Sequence, residues 1–322
     1  MEGKDLRIVF MGTPEFAVES LKALVENGYQ VVGVITAPDR PSGRGQKLHQ
    51  SDVKIYAESY GIPVLQPEKL KDEAFLQDLR LLNADLQIIV AFRMLPEVVW
   101  KMPRFGTFNL HGSLLPRYRG AAPLNWSIIN GDTETGVTTF LLKQEIDTGN
   151  ILFQEKIQIS PEMTIGELHD SLMVIGAELV LKTVDAIAEG DYQLLPQDSR
   201  EIDPVRLHAP KIFKETCKID WKKPVCVLNN LVRGLSPYPA AWTNFTKGGI
   251  ETAVKVFKTS AELTEHHEKP GTLLTDNKKF LKVVCSDGYL HLLDIQLSGK
   301  KRMGIAEFLR GFQNAAEYSA GE

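Results

Sequence analysis

The first half of the chain alternates short apolar runs with segments whose apolar residues recur at helical spacing, and this alternation constrains the fold most. The runs at 6–11 and 86–92 are apolar almost throughout, which is typical of parallel strands buried on both faces. Strands joined by crossover helices form a parallel sheet, so we expect an α/β domain with a mostly parallel sheet. The predicted strands are 6–11, 30–36, 62–65, 86–92, 105–111, 136–142 and 151–159, and the predicted helices are 15–26, 52–60, 72–82, 96–100, 123–129 and 164–189.

The turn Gly12-Thr13-Pro14 ends the first predicted strand, where the Rossmann fold of dehydrogenases carries a glycine-rich loop. That loop has the pattern G-x-G-x-x-G and holds the pyrophosphate of a dinucleotide. The turn does not have this pattern. The sequence therefore favours a Rossmann-like fold but argues against a dehydrogenase.

Residues 191–210 are polar, contain three prolines and show no period, as expected of a linker. We place the linker at 191–208, between a catalytic domain at 1–190 and a C-terminal domain at 209–322. In the C-terminal domain a predicted helix at 224–235 is followed by short strands with hairpin turns at 247–249 and 286–288. This pattern predicts a smaller, OB-like β-barrel domain. The strands predicted there are 241–245, 252–258, 272–275, 280–285 and 289–297.

Charge is divided unevenly along the chain. Residues 1–208 hold 20 Lys+Arg against 29 Asp+Glu, whereas residues 209–322 hold 17 against 12. Small barrels of the OB type commonly bind single-stranded or backbone nucleic acid, which would agree with a basic C-terminal domain. Lysines on exposed strands also protect sheets from aggregation, so charge alone leaves both interpretations open.

The composition is that of an ordinary globular protein, with 43% hydrophobic and 24% charged residues in 322. The N-terminus lacks the apolar core of a signal peptide, and no apolar run is long enough to span a membrane, so we expect a cytoplasmic protein. Cys217, Cys226 and Cys285 have no spacing typical of a zinc site or a disulfide framework. We expect no metal and no obligatory protein partner.

Residues 107–149 hold most of the candidate polar groups. In a strand at 105–111, Asn109 and His111 lie on the same face, and Gly112 begins a loop rich in proline and glycine. Such loops at the carboxyl ends of parallel strands are where open α/β sheets bind ligands. A further strand leads to a turn with Asp147, which could return a carboxylate to the same place. Taken singly, an Asn is often a helix cap, a His a satisfied polar residue and an Asp a turn former.

These residues closely resemble the signature of the folate-dependent formyltransferases. The signature has Asn-x-His-x-Ser-Leu-Leu-Pro, found here at 109–116, then an Arg-Gly-rich turn with Gly120 and Pro123, and then Asp-Thr-Gly at 147–149. The resemblance covers nearly the whole chain, from 6–18 to 299–303, and is closest to the members that act on methionine carried by tRNA. One departure is the segment 90–96, Val-Ala-Phe-Arg-Met-Leu-Pro, where those members usually have a Val-Ala-Tyr-Gly-like segment.

The resemblance implies that the formyl group of 10-formyltetrahydrofolate is transferred to the α-amine of methionine on initiator tRNA. It implies that Asn109 and His111 donate to the oxyanion of the tetrahedral intermediate, and that Asp147 orients His111 or takes the proton through water. It also implies a folate site formed by the 90–96 wall and the loop after His111. The residues expected in that folate site are Phe92, Met94, Leu95, Ser113, Leu114, Leu115 and Pro116.

A predicted exposed loop at 37–47 contains Gly43 and Gly45 on either side of Arg44. Its composition is typical of an ordinary surface loop, but the resemblance implies that it enters the acceptor end of tRNA. The residues expected to contact tRNA are Arg40, Arg44, Lys47, Lys211, Lys300 and Lys301.

Two alternatives stay open at the level of sequence. A related formyltransferase that acts on glycinamide ribonucleotide or on a nucleotide sugar would share the first domain, although a basic C-terminal domain argues against it. A non-enzymatic RNA-binding module would use the α/β domain only as a scaffold. Turnover with formylfolate in the absence of a protein partner separates the enzyme from the module.

Overall fold

A computed structural model describes residues 2–42, 47–198 and 202–321 of the chain. Contacts divide the chain into two compact units, and some segments belong to a unit that is distant in sequence. The first unit comprises Met1–Pro123, Thr135–Ile157 and His169–His208. The second comprises Leu124–Glu134, Gln158–Leu168 and Ala209–Glu322.

The first unit is built on a mostly parallel sheet, as the sequence predicts. The strands up to residue 158 are β1 (Arg7–Gly12), β2 (Gln30–Ile35), β3 (Arg40–Ser42), β4 (Lys47–His49), β5 (Val64–Leu65), β6 (Leu86–Val90), β7 (Thr107–His111), β8 (Arg119–Gly120), β9 (Glu134–Leu141) and β10 (Ile151–Gln158). Among the described residues the sheet has seven strands in the order β10-β9-β7-β6-β1-β2-β5. In this order the neighbouring strands from β7 to β5 are paired in parallel, and β9 runs antiparallel to β7.

Helices follow the strands, and two of them begin where the sequence places a good capping residue. Ser51 Oγ accepts from the N–H of Lys54, and Asp72 Oδ1 accepts from the N–H of Ala74, so each satisfies a donor that the first helical turn leaves unpaired. The helices are α1 (Glu15–Glu26), α2 (Asp52–Ser59), α3 (Glu73–Leu81), α4 (Glu97–Trp100), α5 (Pro123–Ile129) and α6 (Ile165–Glu189), with a 3-10 helix at Gly3–Asp5.

One core of the first unit lies between the sheet and α3. Val9 and Met11 are two residues apart on β1, and they point to the same face because side chains alternate along a strand. Phe75 and Leu79, four residues apart on α3, belong to the same buried cluster. Residues that repeat with the period of a strand and residues that repeat with the period of a helix therefore pack together in this core.

The second unit contains a nearly closed antiparallel barrel. The elements after residue 203 are α7 (Pro204–Leu207), β11 (His208–Ala209), α8 (Val225–Leu235), β12 (Ala241–Lys247), β13 (Ile250–Leu263), β14 (Leu273–Thr275), β15 (Leu281–Val284), β16 (Gly288–Leu297), β17 (Met303–Gly304), α9 (Ile305–Gly311) and β18 (Ser319–Ala320), with 3-10 helices at Glu215–Cys217 and Ala315–Glu317. Among the described residues the sheet of the barrel runs in the order β14-β15-β16-β13-β12-β18, and β17 pairs with β16. A bridge between Thr272 and Ser319 brings the two edges together, and the N–H of Ala320 donates to the carbonyl oxygen of Gly271.

The barrel confirms the prediction of a small OB-like domain, and α8 covers its core. Val225, Leu228, Val232 and Leu235 of α8 recur at helical spacing and are almost fully buried. Gly271 lies at an edge of the barrel with a φ of 89°. A Cβ there would be 2.5 Å from the carbonyl oxygen of Ala320, so only glycine allows this closure.

Two segments have more structure than the sequence indicates. In and just after the predicted loop 37–47, β3 pairs with β4, and Arg40 lies opposite His49. Within the predicted linker 191–208, Leu195 forms an antiparallel bridge with Ile151, and residues 204–207 form α7.

Candidate active site

The site begins on β7, which lies between β6 and β9 in the sheet. Thr107, Asn109 and His111 share one face of this strand. The hydroxyl of Thr107 is occupied, because it donates to Gln87 Oε1 (3.0 Å) and lies 2.7 Å from the carbonyl oxygen of Trp100. Asn109 is half-buried, and within the described residues its carboxamide has no hydrogen-bond partner. The carboxamide of Asn109, unlike the hydroxyl of Thr107, is therefore available to a ligand.

His111 is 6% exposed, and its two ring nitrogens have different surroundings. Nε2 lies 2.9 Å from the carbonyl oxygen of Tyr118. A carbonyl only accepts hydrogen bonds, so Nε2 carries the proton in the neutral ring and Nδ1 carries the lone pair. Nδ1 lies 3.9 Å from Oδ2 of Asp147. The fold thus leaves Nδ1 as the nitrogen that can take up or release a proton.

Asp147 lies in the loop after β9, with a backbone φ of 53°. Aspartate tolerates this left-handed conformation better than most residues do. Its Oδ2 accepts from the N–H of Gly120 at 2.9 Å, and this bond holds the carboxylate beside His111. Two residues on, a Cβ at Gly149 would be 1.7 Å from the carbonyl oxygen of Leu141. The Asp-Thr-Gly turn therefore needs both an αL-tolerant residue and a glycine.

Left-handed backbone recurs around the site. Ala91, Tyr118 and Asp147 have φ values of 48°, 59° and 53°, and each follows a strand or belongs to a loop at the site. Alanine and tyrosine rarely adopt this region, at a cost of about 1–2 kcal/mol per residue. Tyr118 is 2% exposed and is held by its neighbours, and its carbonyl oxygen is the one that accepts from His111.

The Ser-Leu-Leu-Pro loop is tied to itself and to β9. Ser113 is buried and its hydroxyl donates to the carbonyl oxygen of Arg117 (2.6 Å). Thr138 Oγ1 donates to the carbonyl oxygen of Ser113 and accepts from the N–H of Leu115. Leu115 is 3% exposed, whereas Leu114 and Pro116 are half-buried. The apolar groups that this loop presents to its surroundings are therefore those of Leu114 and Pro116.

The 90–96 segment, which the sequence predicts to be a wall of the folate site, includes the end of β6 and the residues after it. Met94 is 73% exposed, Leu95 is buried, and both line a cavity of about 580 Å³ together with Leu70, Lys71, Pro96, Glu97 and Val98. Phe92 is half-buried. Arg93 donates to the carbonyl oxygens of Pro67 and Glu68. Desolvation, and then the nearby charge of Arg40, lower the pKa of its guanidinium.

The base of the β3–β4 hairpin is fixed by a polar cluster. Lys54 Nζ lies 2.6 Å from Oδ2 of Asp39, and Gln66 Nε2 donates to Oδ1 of Asp39 at 2.7 Å. Arg40, at the start of β3, is exposed. Arg44, Gly43 and Gly45 lie outside the described residues, and for Lys47 only the backbone is described, in β4.

The lysines predicted to contact RNA in the second unit are exposed, but their surroundings differ. Lys301 Nζ lies 3.0 Å from Glu307, whereas Lys211 Nζ lies 5.8 Å from the centre of the Phe213 ring. Sequence reasoning missed a neighbouring pair of cations. Lys214 and Lys218 place Nζ 5.4 and 5.8 Å from the centre of the Trp242 ring, a cation–π arrangement.

Sequence reasoning also missed Arg119 and Gln197. The guanidinium of Arg119 donates to Oε1 of Gln197, whose amide in turn donates to the backbone of the Asp147 loop. Gln197 lies in a segment without periodicity, so no pattern in the sequence marks it. Among the described residues no His, Cys, Asp or Glu side chains are grouped as three or more metal ligands would be. The helices of the described ranges are all too short or too polar to cross a membrane.

Family models match most of the chain. Residues 6–184 match a model described as formyl transferase, and residues 211–313 match one described as formyl transferase, C-terminal domain. A methionyl-tRNA formyltransferase of Parabacteroides distasonis is 58% identical over 324 residues and is covered in full, as is this chain. One from Flavobacterium johnsoniae is 51% identical, with 95% of this chain and 96% of the relative covered.

Solved structures share the fold at low identity. The sugar 3N-formyl transferase WlaRD, solved with dTDP and 5-N-formyl-THF, has a TM-score of 0.64 at 20% identity, with 92% of this chain and 99% of that chain covered. HypX from Aquifex aeolicus, solved with tetrahydrofolic acid, has a TM-score of 0.63 at 19% identity. This alignment covers 96% of the present chain but only 48% of HypX, so the chain spans about half of that protein.

Proposed function

The chain belongs to the formyl transferase family, and from this premise we propose that it formylates the α-amine of methionine on initiator methionyl-tRNA, with 10-formyltetrahydrofolate as donor. The product is N-formylmethionyl-tRNA for translation initiation. A cytoplasmic location belongs to the same proposal. The observation that carries it is the grouping, after β7 and β9, of the free carboxamide of Asn109 with the His111–Asp147 pair.

The reaction sets two demands on the site. The neutral amine attacks the formyl carbon, which forms a C–N bond and places negative charge on the formyl oxygen. Collapse of this tetrahedral species breaks the bond between the carbon and N10 of the folate. The attacking nitrogen loses one proton and N10 gains one, so the site must stabilise an oxyanion and move a proton.

Asn109 meets the first demand. Its carboxamide N–H groups have no partner among the described residues, so they can donate to the oxyanion without first breaking another bond. A single donor of this kind contributes about 2.7–4 kcal/mol to catalysis of acyl transfer. The strand holds Asn109 two residues from His111, so both face the same reacting group.

His111 and Asp147 meet the second demand. Because Nε2 is bound to the carbonyl oxygen of Tyr118, Nδ1 is the atom that exchanges a proton with the substrate. The 3.9 Å between Nδ1 and Asp147 Oδ2 is too long for a direct hydrogen bond, and it leaves room for the amine or a water to bridge them. The carboxylate of Asp147 lies on the side of the ring where Nδ1 takes the proton.

We assign the donor to apolar surfaces of the first unit. A folate presents flat aromatic rings, and ligand pockets for such groups are mostly apolar with a few polar anchors. Phe92, Met94 and Leu95 follow β6, and Met94 and Leu95 line the cavity. Leu114 and Pro116 lie on the loop after β7. In this proposal Ser113 and Leu115 act mainly inside the loop, since the first is hydrogen-bonded there and the second is buried.

The tRNA is proposed to contact both units. Residues 209–322 hold 17 Lys+Arg against 12 Asp+Glu, which favours a polyanion. Arg40 on the β3–β4 hairpin, with Arg44 and Lys47 beyond it in sequence, is proposed to meet the acceptor end. Lys211, Lys300 and Lys301 are proposed as phosphate contacts, and the Trp242 cluster with Lys214 and Lys218 adds a surface on which a base could stack.

Purified protein tests the proposal with labelled formyl donor and no other protein. We expect formyl transfer to charged initiator tRNA, with charged elongator tRNA, free methionine and glycinamide ribonucleotide much poorer. Preference for glycinamide ribonucleotide or for an amino-sugar nucleotide would instead support the related enzymes of the same fold. RNA binding without turnover would support a non-enzymatic RNA-binding module.

A further inference from the structure

Gln197 joins two parts of the first unit through a single carboxamide. Its Oε1 accepts from Nε of Arg119 at 3.0 Å and from Nη2 of Arg119 at 2.7 Å. Its Nε2 donates to the carbonyl oxygen of Asp147 at 2.9 Å and to that of Gly149 at 2.8 Å. A carboxamide is the side-chain group that can accept from a guanidinium and donate to two carbonyls at once.

We propose that Gln197 is a positioning residue for the reaction, one that holds the carboxylate of Asp147 at its distance from His111. The proposal rests on the proposed function, because it assumes that Asp147 takes part in formyl transfer. Gln197 itself acts through the backbone of the Asp147 loop.

The contacts form a closed ring around Asp147. Arg119 binds Gln197, Gln197 binds the backbone carbonyl of Asp147, and the carboxylate of Asp147 accepts from the N–H of Gly120, the residue after Arg119. The two residues of β8 therefore hold Asp147 in different ways. Arg119 acts through Gln197 on the backbone of Asp147, and Gly120 binds its carboxylate directly. Such bracing is needed because the φ of 53° at Asp147 lies in a sparsely populated region that its own backbone does not favour.

Gln197 is itself anchored two residues earlier. The N–H of Leu195 donates to the carbonyl oxygen of Ile151 at 3.0 Å, and the N–H of Ile151 donates back at 2.8 Å. Ile151 begins β10, directly after the Asp147 loop. Gln197 therefore lies on a segment that is paired with the first residue of β10.

The same segment supports His111 at a second place. The carbonyl oxygen of Arg206 accepts from the N–H of Tyr118 at 2.8 Å, and the carbonyl oxygen of Tyr118 is the acceptor for His111 Nε2. Segment 191–208 therefore hydrogen-bonds to Tyr118, which binds His111, and to the loop that carries Asp147. Gln197 makes the second of these contacts.

Loss of this support should appear in turnover. A misplacement of a reacting group by about 1 Å can cost on the order of 100-fold in rate. We expect Gln197→Ala to lower kcat roughly 10- to 100-fold, while KM for both substrates stays within about two-fold. Gln197→Glu should behave alike, because a carboxylate still accepts from Arg119 but cannot donate to the two carbonyls. Gln193→Ala, an exposed glutamine in the same segment, is the matched control and should leave kcat unchanged.

A double-mutant cycle separates positioning from a general structural effect. In the Asp147→Ala background the group to be positioned is absent, so Gln197→Ala should change the residual rate by less than about two-fold. Equal losses in the wild-type and Asp147→Ala backgrounds would mean a structural role only and would overturn the proposal. Unchanged kcat in Gln197→Ala would overturn it as well.

Amide hydrogen exchange at Gly120 tests the geometry without any assay of activity. This N–H donates to the carboxylate of Asp147, so its exchange should become roughly ten-fold faster in Gln197→Ala and Gln197→Glu but not in Gln193→Ala. Unchanged protection at Gly120 would show that Asp147 stays in place without Gln197 and would refute the proposal. If the wild-type protein transferred no formyl group to methionyl-tRNA, the proposed function would fail, and the exchange data would still decide whether Gln197 holds Asp147.

Discussion

At the scale of single residues, the polar side chains near the carboxyl end of β7 differ in what each has left for a substrate. The hydroxyls of Thr107 and Ser113 are used inside the protein, and so is Nε2 of His111. The carboxamide of Asn109 and Nδ1 of His111 remain. Substitutions at these two residues should therefore affect turnover far more than stability.

Asn109→Ala is expected to lower kcat by about 10²–10³-fold, because one oxyanion donor is lost. The melting temperature should change little, since within the described residues no group depends on this carboxamide. Steady-state kinetics and thermal unfolding provide the two measurements, with the exposed Gln144→Ala as control. A loss in kcat that is matched by a loss of folding would argue for a structural Asn109.

His111→Gln separates the two ring nitrogens. A glutamine amide can still donate to the carbonyl oxygen of Tyr118, as Nε2 does, but it offers no proton-accepting nitrogen in place of Nδ1. We expect the fold to be retained and kcat to fall by about 10²–10⁴-fold, the usual contribution of general acid–base catalysis. Near-normal turnover in this variant would refute the proposed proton path.

Gly149→Ala tests whether the Asp-Thr-Gly turn has room for a side chain. A Cβ there would overlap the carbonyl oxygen of Leu141, so the free energy of unfolding should fall by roughly 2–4 kcal/mol. Gly190→Ala is the matched control. Gly190 has a φ of 74° but nothing within 4 Å of a Cβ, and its substitution should cost only about 1–2 kcal/mol of backbone strain. Denaturant unfolding of both variants gives the comparison, and equal costs would contradict it.

At the scale of elements, the β3–β4 hairpin depends on the ion pair at its base. The hydrogen bond from Lys54, and then that from Gln66, lower the pKa of Asp39 from its ordinary value of 3.8. The hydrogen bond to Asp39 raises the pKa of Lys54 from its ordinary value of 10.5. The pair therefore stabilises the fold fully between these two values. Its contribution is lost as the pH falls through the lowered pKa of Asp39 or rises through the raised pKa of Lys54.

Asp39→Asn should consequently lower the melting temperature at pH 7, and the difference from wild type should shrink as the pH is taken below about 4. Thermal unfolding followed by circular dichroism between pH 3 and pH 8 measures this. Asp78→Asn, at an exposed position of α3, should show no such convergence. A difference for Asp39→Asn that did not depend on pH would rule out the ion pair as its cause.

Elements also differ in how well a sequence predicts them. Long segments with clear periodicity, such as α6 and α8, were predictable because many residues repeat the same pattern. β3 and β4 have three residues each, too few for an alternation to be recognised, and their Pro41 favours a loop interpretation. The seven-residue α9 was missed for the same reason.

At the scale of the whole molecule, the basic excess lies in residues 209–322, but its cations are not equivalent. Lys301 is paired with Glu307, whereas Lys214 and Lys218 have no carboxylate within ion-pair distance among the described residues. A cation that already has a carboxylate partner contributes less to binding a phosphate. The salt dependence of tRNA binding should therefore distinguish the two groups.

Lys214→Ala/Lys218→Ala should reduce the slope of log K against log salt by roughly 0.7–0.9 per cation removed. Lys300→Ala/Lys301→Ala removes the same formal charge but should reduce the slope less, because Lys301 already has Glu307 as an ion-pair partner. Filter binding of initiator tRNA at several salt concentrations measures both slopes. Equal changes in the two double variants would contradict a special role for the Trp242 cluster.

The sequence by itself determined the longer strands and helices, the mostly parallel sheet, the barrel and the position of Asn109 and His111 on one strand. These features depend on periodicity and short motifs, which are local properties of the chain. Only the tertiary structure decided that Nε2 of His111 is occupied by Tyr118, that Asp147 is braced by Gly120, and that Gln197 reaches the Asp147 loop from 50 residues away. Such contacts depend on how distant segments meet after folding, and a hydrogen bond between a side chain and a distant backbone carbonyl leaves no repeating pattern in the sequence.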